Sequence, residues 1–424
     1  MLDIKFIQEN KDIVIAGAKK KHIDVDIERL LELDNKRKEL LKAVEDKRAE
    51  QNAITQKISM EQNPEARGAM IAEMKQFKDG MQSRENELKE VMVEWQALMV
   101  LVPNVPDISV PEGETDEDNI EHHTWGEIPQ LGFEPKDHIE LMENLDMVDF
   151  KRGTKVAGFR GYFLKNDGAL LAWAIFQHAQ KFFLARGYNP MIVPSLVNKE
   201  PFIGTGYLPQ EEENLYKTQD DKYLAGTSEV AVMSYYMDEV IDKKMLPKKF
   251  LAFSSCFRRE AGSHGKDTKG LVRVHEFMKY EQVVLCAASH EESVRMHEEI
   301  TKNSEEFLQS LNIPYHVVVN CGGDIGLGQV KKYDIEAWMP SQNKYRETHS
   351  SSYFHDFQTR RLNIKYRDED GKLRFAHSLN NTATAVPRFL AVLVENYQQE
   401  DGSILVPEVL REYVGKEKIT KNTN

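Results

Sequence analysis

The most restrictive feature of this 424-residue sequence is a long series of heptad-spaced positions that is interrupted once. Pro64 is the only proline between residues 27 and 102, and Gly68 lies close to it. On both sides of this break, positions spaced alternately by four and three residues are mostly apolar. They are Leu33, Arg37, Leu40, Val44, Lys47, Gln51, Ile54 and Ile58, then Met70, Met74, Phe77, Met81, Arg84, Leu88, Val91, Trp95 and Leu98. The pattern predicts two long helices joined at Asn63-Pro64 in an antiparallel hairpin.

The first limb of this hairpin carries polar residues where packing alone favours leucine or isoleucine. Arg37, Lys47 and Gln51 lie on the seam itself. Further basic residues accompany them, namely Lys36, Lys38, Lys42, Arg48 and Lys57. Because acidic residues are interleaved, the limb could contact phosphates or present an ordinary solvated face. For a coiled coil alone, the pattern favours a dimerisation or spacing role.

The composition of the sequence changes near residue 105. Residues 101–119 are rich in proline, aspartate and glutamate, which is typical of an irregular connector. We therefore expect a helical domain over 1–105 (hairpin about 27–100) and a second domain over 106–424. We expect a connector over 106–120 and a disordered tail over 416–424.

The second domain mixes helical and strand patterns. A helix is predicted over Ala169–Arg186 and another over Thr384–Gln399. Strands are predicted between them, at Met191–Val193, Phe250–Phe257, Leu271–Cys286, Tyr315–Val319, Ile335–Met339 and Arg361–Tyr366. Successive strands with helices at both ends predict an α+β fold with a largely antiparallel sheet.

Composition narrows the classes of function. No run of eighteen apolar residues occurs, the first residues do not resemble a signal peptide, and the three cysteines are widely spaced. These features argue against a membrane-spanning helix, disulfides and structural zinc, and they favour a cytoplasmic protein. The net charge of −13 argues against general coating of nucleic acid but not against a local basic surface, so DNA is not expected as a partner. The lack of a long apolar run means that a membrane is not expected either. Neither familiar glycine-rich nucleotide-binding loop is present.

Candidate nucleotide-binding residues flank a polar loop in the second domain. Arg258 ends one predicted strand, and its planar guanidinium suits a phosphate, while Phe277 offers a flat face for a base. Arg388 lies near the start of the last predicted helix, where the helix dipole favours anions. A charged surface hairpin and a simple salt bridge are the alternative interpretations of these residues.

Two hydroxyl-rich segments suggest a metal and a small zwitterionic ligand. Glu347 is followed by Thr348, His349 and Ser350, and oxygen ligands of this kind suit magnesium. The segment Gly226-Thr227-Ser228-Glu229 again places hydroxyl groups beside a carboxylate.

Nearly the whole chain resembles the seryl-tRNA synthetases, which are class II aminoacyl-tRNA synthetases. The resemblance lies in blocks that occur in one order: MLDIKFIQENKDIV, LVPNVPDISVPEG, GTGYLP, GTSEV, FRREAGSHGKDTKGLVRVHEF, KKYDIEAWMPSQNKYRE, DFQTRR and VLVENYQQEDGSILVPEVLREYVG. It implies a coiled-coil arm, a catalytic domain with an antiparallel sheet of six to seven strands, and a homodimer. The block ARGYNPMIVPSL would place Pro194 at the dimer interface.

The resemblance also implies an activity. L-Serine would react with ATP to give seryl-adenylate and pyrophosphate, with Mg²⁺ as cofactor. The seryl group would then pass to the 3′-terminal adenosine of tRNA(Ser), and of tRNA(Sec) where one is present. The arm would grip the long variable arm of the tRNA.

Site residues are carried over from the family by position. Arg258 and Arg388 would be catalytic, and Glu347 and Ser350 would hold the metal. The residues implied for ATP are Arg258, Arg259, Glu260, Phe277, Glu347, Thr348, His349, Ser350 and Arg388. The residues implied for serine are Thr227, Ser228, Glu229, Arg258, Glu281 and Thr382.

Three departures and three alternative functions accompany this interpretation. Arg259 stands where the family usually has serine, and His349 and Tyr353 are bulkier than expected, so we expect an effect on ATP affinity or metal preference. The alternatives are a ligase that loads a carrier protein, a non-enzymatic tRNA-binding module, and a synthetase for another amino acid. The long arm disfavours the first, the intact arginines and acids the second, and Glu281 with Thr382 the third.

Overall fold

The computed structural model describes residues 1–262, 265 and 267–421, apart from the side chains of Gln76 and Asp79. These residues form two compact units. One comprises residues 3–19 and 23–103, and the other comprises residues 1–2, 20–22 and 104 onward.

The first unit is helical. Its helices are α1 (Ile4–Glu9), α2 (Lys11–Lys20), α3 (Ile27–Met60) and α4 (Pro64–Met99). Asn63 caps α4, because its side chain accepts hydrogen bonds from the backbone N–H groups of Glu65 and Ala66. Pro64 occupies the first turn, where its missing N–H costs nothing. The predicted hairpin and its turn are therefore confirmed.

The polar seam residues of the hairpin pack against aromatic rings of the opposite limb. The Arg37 guanidinium carbon lies 4.9 Å from the centroid of the Trp95 ring, and Lys47 Nζ lies 4.3 Å from that of Phe77. Both are cation–π contacts, which replace the leucine packing expected at a seam. Ion pairs also join the limbs, at Arg29–Glu94, Lys36–Glu87 and Arg48–Glu85.

The second unit is built on a sheet of eight strands among the residues described, against six to seven expected. Their order is β1-β11-β12-β13-β16-β10-β9-β4, and every pair is antiparallel except β4 with β9. The strands are β1 (Ile120–Trp125), β4 (Asn189–Ile192), β9 (Lys248–Phe257), β10 (Glu276–Cys286), β11 (Tyr315–Val319), β12 (Lys331–Met339), β13 (Lys344–Tyr353) and β16 (His377–Val386).

Helices cover this sheet and enclose the core. They are α5 (His138–Asn144), α6 (Phe150–Ala157), α7 (Asn166–Leu184), α8 (Lys199–Thr205), α9 (Glu229–Ser234), α10 (His290–Ser310), α11 (Phe357–Arg361), α12 (Arg388–Asn396) and α13 (Glu408–Val414). Short strands form small accessory sheets: β2 (Val148–Asp149) with β3 (Phe163–Leu164); β5 (Leu196–Val197), β6 (Tyr216–Lys217) and β7 (Tyr223–Leu224); β8 (Val240–Asp242), β14 (Lys365–Arg367) and β15 (Leu373–Phe375); β17 (Ile404–Leu405) with β18 (Lys418–Ile419). The predicted α+β class is confirmed.

Several predicted boundaries were wrong. The strand expected from Leu271 begins at Glu276, because the apolar residues before it pack into a loop. In the segment 361–366, Arg361 ends α11 and residues 362–363 form a turn, so only residues 365 and 366 belong to a strand, β14. The helix expected from Thr384 begins at Arg388, since residues 384–386 belong to β16.

The expected tail is also partly structured. Lys416 forms an ion pair with Asp167, and β18 pairs with β17. Residues 422–424 lie outside the described part of the chain. Within the described residues, no helix is both long enough and apolar enough to cross a membrane.

Two β-bulges interrupt neighbouring strands of the large sheet. In β13, Thr348 has no partner in the register with β12, because Ile335 pairs with His349 and Glu336 with Glu347. In β16, Ala383 has none in the register with β10. An extra residue reverses the alternation of faces, so residues three apart across the bulge share one face of the sheet.

Candidate active site

One face of the large sheet forms the floor of a cavity of about 470 Å³. Strands β10, β13 and β16, the start of α12 and the loop after β9 all contribute to its wall. The cavity brings together eleven of the predicted site residues: Thr227, Glu229, Arg258, Glu260, Phe277, Glu281, Glu347, Thr348, Ser350, Thr382 and Arg388.

The bulges decide which residues of β13 and β16 reach the cavity. Glu347 and Ser350 are three residues apart, and a regular strand would place them on opposite faces. The bulge at Thr348 places both on the cavity face. The bulge at Ala383 does the same for Thr382 and Ala385.

Arg258 is held at the mouth of the cavity. Its Nε donates a hydrogen bond of 3.3 Å to the carbonyl oxygen of Gly226, and its guanidinium carbon lies 5.3 Å from the centroid of the Phe277 ring. A side chain at Gly226 would lie 3.3 Å from Arg258 Cγ, so glycine permits this close approach. The remaining guanidinium donors can face a phosphate beside the flat aromatic ring.

Arg388 and Glu347 form an ion pair on the cavity wall. Arg388 Nη1 lies 3.1 Å from Glu347 Oε2 and donates to the Glu347 carbonyl oxygen at 2.8 Å, while its Nε donates to Val272 at 2.9 Å. Arg388 is the first residue of α12, so the positive end of the helix dipole adds to its charge. Arg388 thus forms a salt bridge, as the alternative interpretation predicted. The same side chain also lines the cavity, where a phosphate clamp is predicted.

The charge of Glu347 is strongly stabilised. Removal from bulk water by itself raises the pKa of Glu347. The positive charges of Arg388, Lys332 and Arg258 have the larger, opposite effect, so the pKa is lowered to about 2. The carboxylate is therefore ionised at any physiological pH. Lys332 is itself held by Asp334, at 3.1 Å, and by Asp324.

The predicted serine-binding residues lie around a buried lysine. Lys279 Nζ donates to Thr227 Oγ1 at 3.0 Å and forms an ion pair with Glu281. Burial raises the pKa of Glu281, and the charges of Lys279 and Arg258 oppose that rise. Thr382 lies beside Glu281, because the two residues pair across β16 and β10.

Glu229 is buried within a hydrogen-bond network. The Tyr207 hydroxyl donates to its Oε2 at 2.9 Å, and Gln358 Nε2 donates to its Oε1 at 2.6 Å. Gln358 in turn accepts a hydrogen bond from Ser378 at 2.7 Å. The carboxylate lines the cavity, but each of its oxygens already has a protein donor.

Glu260 and Arg273 form another ion pair on the cavity wall. Glu260 adopts a positive φ of 56°, which turns the chain immediately after Arg259. Arg273 also lies near Asp267 of the same polar loop. Residues 263, 264 and 266 of that loop lie outside the described residues.

The structure does not bring three of the predicted residues to the cavity. Ser228 is buried, and its hydroxyl donates to the Ala252 carbonyl oxygen at 3.1 Å. Arg259 is exposed on the loop away from the wall. His349 points into the core against Phe389, because it follows the bulged Thr348.

Tyr353 also lies away from the cavity. Its side chain is 1% exposed, and its hydroxyl donates to Asp107 at 3.1 Å. The bulk of Tyr353 and of His349 is therefore accommodated in the core. The expected effect of these two residues on ATP affinity or metal preference therefore has no steric basis in the cavity.

The sequence interpretation missed several polar residues of the cavity wall, among them Lys279, Lys332 and Asn380. Strand alternation could have identified Lys279, since it lies between Phe277 and Glu281 on the same face of β10. Lys332 and Asn380 carry no comparable signal.

The donor set on the wall suits a magnesium ion bound together with phosphates. The Glu347 carboxylate and the Ser350 hydroxyl supply hard oxygen atoms. Among the described residues, no cluster of three or more His, Cys, Asp or Glu side chains could hold an ion by itself. Magnesium characteristically uses one or two protein oxygens and completes its shell with water and phosphates.

Comparisons with known families agree with this geometry. Residues 1–106 match the family model described as the seryl-tRNA synthetase N-terminal domain. Residues 212–397 match the tRNA synthetase class II core domain (G, H, P, S and T).

Full-length relatives and solved structures extend the likeness. A serine–tRNA ligase of Deinococcus radiodurans is 44% identical over 99% of both chains, and one of Trichlorobacter lovleyi is 41% identical over 99% of this chain and all of its own. A seryl-tRNA synthetase from Pyrococcus horikoshii complexed with ATP is 36% identical, with a TM-score of 0.90 over the whole of both chains. A cytoplasmic serine–tRNA ligase from Naegleria fowleri in complex with AMP is 31% identical, with a TM-score of 0.87 over 100% of this chain and 99% of its own.

Proposed function

This chain belongs to the seryl-tRNA synthetase family and is an ATP-dependent serine–tRNA ligase, and from that premise we propose that the cavity on the large sheet is where seryl-adenylate forms. The observation that carries the proposal is the convergence in one cavity of two arginines, an aromatic ring, an ionised carboxylate and a buried Thr–Lys–Glu cluster. ATP is the expected nucleotide, since related structures hold ATP or AMP.

The proposed ATP site uses the charged wall. Arg258 would contact the α-phosphate, and Phe277 would stack on adenine beside it. Arg388 would clamp the terminal phosphate, aided by the N-terminus of α12. Glu260, held by Arg273, would lie near the adenine.

The proposed serine site uses the buried cluster. The Glu281 carboxylate, which is paired with Lys279, suits the ammonium group of the amino acid, and Thr227 and Thr382 offer hydroxyl groups to its oxygens. Partners of this kind leave buried polar groups unpaired when alanine binds, which disfavours alanine strongly. Glu229 shapes the site through Tyr207 and Gln358 rather than with a vacant oxygen.

The first step needs positioning more than proton transfer. A carboxylate oxygen of serine attacks the α-phosphorus, the bond to the bridging oxygen breaks, and pyrophosphate leaves with those electrons. Both reactants are anionic, so Arg258 and Arg388 must reduce their repulsion and hold them in line. We assign no general base, because the attacking carboxylate is already ionised.

Glu347 and Ser350 are the residues that would hold Mg²⁺. When bound, the ion would neutralise charge on the phosphates of ATP. The positive charges of Arg388, Lys332 and Arg258 hold the pKa of Glu347 low, so its carboxylate can serve as an oxygen ligand.

The second step joins serine to tRNA. A terminal ribose hydroxyl attacks the acyl carbon of seryl-adenylate, and AMP leaves. We propose that the α3–α4 hairpin holds the long variable arm of tRNA(Ser) through its basic residues. Because several of those residues are paired with acids of the opposite limb, tRNA phosphates must compete with them, and binding should weaken steeply with salt.

We also propose a homodimer formed through the region of β4 and α7. Ile192 is 88% exposed, Trp173 is 50% exposed, and Pro194 is exposed beside them. β4 is the last strand in the order of the large sheet, so one of its edges is open. An exposed apolar patch beside an open strand edge is typical of a subunit interface. Light scattering of the wild type and of Ile192→Glu tests this proposal, and a monomeric wild type contradicts it.

A cytoplasmic location is proposed by analogy with the relative from Naegleria fowleri, whose name carries that term. ATP–pyrophosphate exchange with serine, threonine, alanine, glycine and cysteine in parallel tests the cavity assignment. Exchange with serine alone is expected, and it should be lost when Arg258 is replaced by alanine. Full exchange by that variant would remove Arg258 from the site.

A further inference from the structure

Lys279 is a buried charge for which the reaction steps above provide no role. Only 6% of its side chain is exposed, and it lies on the cavity wall between Phe277 and Glu281 of β10. Burial of an ammonium group is costly unless partners replace its water. Its partners are Thr227 and Glu281, which are two of the residues proposed to bind serine.

The hydrogen bonds around Thr227 determine the direction of its hydroxyl group. Thr227 Oγ1 accepts from the backbone N–H of Glu229 at 3.3 Å and from Lys279 Nζ at 3.0 Å. A hydroxyl oxygen has two lone pairs, so both are occupied. What remains is the hydroxyl hydrogen, and no bond to an acceptor is found for it among the described residues. Thr227 lines the cavity, so that hydrogen is available to a ligand.

The same ammonium group also holds Glu281, with which it forms an ion pair. Burial raises the pKa of this carboxyl group, and the Lys279 charge opposes that rise. With Lys279 in place, Glu281 presents an acceptor to the cavity. Lys279 thus faces two side chains whose hydrogen-bonding roles are opposite.

We propose that Lys279 is a positioning residue for amino-acid selection: it makes Thr227 a donor and Glu281 an acceptor at fixed places, so that the cavity accepts a ligand with an oxygen beside an ammonium group. The inference rests on the proposed serine site. It adds the residue that decides which side chain of that site donates a hydrogen bond and which accepts one. Lys279 itself acts through Thr227 and Glu281.

Replacing Lys279 by methionine should act on serine and spare ATP. Thr227 can then turn its hydrogen elsewhere, and Glu281 loses its ion-pair partner. The loss of one charge-assisted hydrogen bond corresponds to a rise in serine KM of about 10- to 100-fold. The KM for ATP should change by less than about twofold. Lys279→Gln, which keeps a donor, should raise serine KM less than Lys279→Met.

A double-mutant cycle separates positioning from mere structural support. Lys279→Met, Thr227→Val and the double variant are compared by ATP–pyrophosphate exchange over a range of serine concentrations. If Lys279 acts through Thr227, the two substitutions should not act independently. The rise in serine KM of the double variant should then be at least about threefold smaller than the product of the rises in the two single variants. Lys249→Met is the matched control. Lys249 lies on the neighbouring strand β9, outside the cavity wall, and forms an ion pair with Glu299.

The outcomes are distinguishable. If Thr227→Val leaves serine KM unchanged, the proposed serine site is wrong. If Thr227→Val raises it but the effects of the two single variants multiply, or Lys279→Met raises the KM for ATP equally, the positioning role is wrong. Melting temperatures are recorded for every variant, and Lys279→Gln replaces Lys279→Met in the cycle should the latter not fold. Exchange with alanine shows which oxygen of serine Thr227 contacts. If Thr227 contacts the side-chain hydroxyl, Thr227→Val should reduce the preference for serine over alanine, and if it contacts a carboxylate oxygen the preference should not change.

Discussion

Replacing Arg388 by alanine is the sharpest perturbation of the proposed ATP site. In the structure its guanidinium contacts the carbonyl oxygens of Val272 and Glu347 and the Glu347 carboxylate, and its remaining N–H groups are available to the cavity. One charge-assisted hydrogen bond to a phosphate contributes about 1.5–3 kcal/mol. At about 1.4 kcal/mol for each factor of ten, kcat/KM for ATP should fall about 10- to 150-fold.

Two side effects of the substitution must be smaller than this loss. Loss of the two contacts to backbone carbonyl oxygens also lowers stability, so the melting temperature of Arg388→Ala is recorded to show that the variant is folded under the assay conditions. Glu347 keeps Lys332 and Arg258 nearby, and these still oppose its protonation. At neutral pH the carboxylate therefore remains ionised, and the loss of activity reflects the missing guanidinium.

The assay is serine-dependent ATP–pyrophosphate exchange, with ATP and serine varied separately. Arg388→Lys keeps the charge but loses the planar pair of donors, so an intermediate loss is expected. Arg411→Ala is the matched control, because Arg411 also contacts a carbonyl oxygen and a glutamate but lies in α13, outside the cavity wall. Near-normal exchange by Arg388→Ala, or an equal loss in Arg411→Ala, would refute the reasoning.

Three other predictions concern the arm, the adenine and the core. Deleting residues 34–97 should spare pyrophosphate exchange and abolish charging of tRNA(Ser), and full charging by the shortened protein would contradict the arm's role. Phe277→Ala should raise the KM for ATP by about 5- to 100-fold with little effect on serine KM, since a stacked base contributes about 1–3 kcal/mol; equal changes in both constants would count against stacking. Burial lowers the pKa of His297 to about 4. Because an unfolded histidine has a pKa of about 6.5, the unfolded chain binds a proton at this residue before the folded chain does as the pH falls. The free energy of unfolding should therefore fall between about pH 6.5 and 4. Denaturant midpoints at several pH values should fall less steeply in His297→Gln, and parallel curves would show that His297 does not contribute.

The sequence was most informative where one pattern extends over many residues. The heptad spacing from Leu33 to Leu98 predicted α3, α4 and the turn between them, because a long apolar stripe has few ways to be covered. Arg37 and Lys47 could not be interpreted in the same way. Their aromatic partners lie on the other limb, and only the pairing of the limbs shows that Trp95 and Phe77 meet these cations.

Residue type was a better guide to which side chains line the cavity than position along each strand. Glu347, Thr348, His349 and Ser350 were taken together because they are consecutive, but a strand sends neighbours to opposite faces. The bulge that brings Thr348 to the cavity and sends His349 to the core depends on pairing with β12, which is distant in sequence. Ser228 and Arg259 lie outside the cavity for a related reason, since each adjoins a residue that lines the cavity but points away from it.

The two bulges make the site sensitive to chain length in a way that its residue types do not reveal. Removing Thr348 would restore regular pairing of β13 with β12, and every side chain on one side of the deletion would change faces. Either Glu347 or Ser350 would then leave the cavity, although neither had been replaced. A deletion at Ala383 would separate Thr382 from Ala385 in the same manner. Variation of this pocket, by natural drift or by engineering, is therefore confined to exchanging side chains at constant strand length.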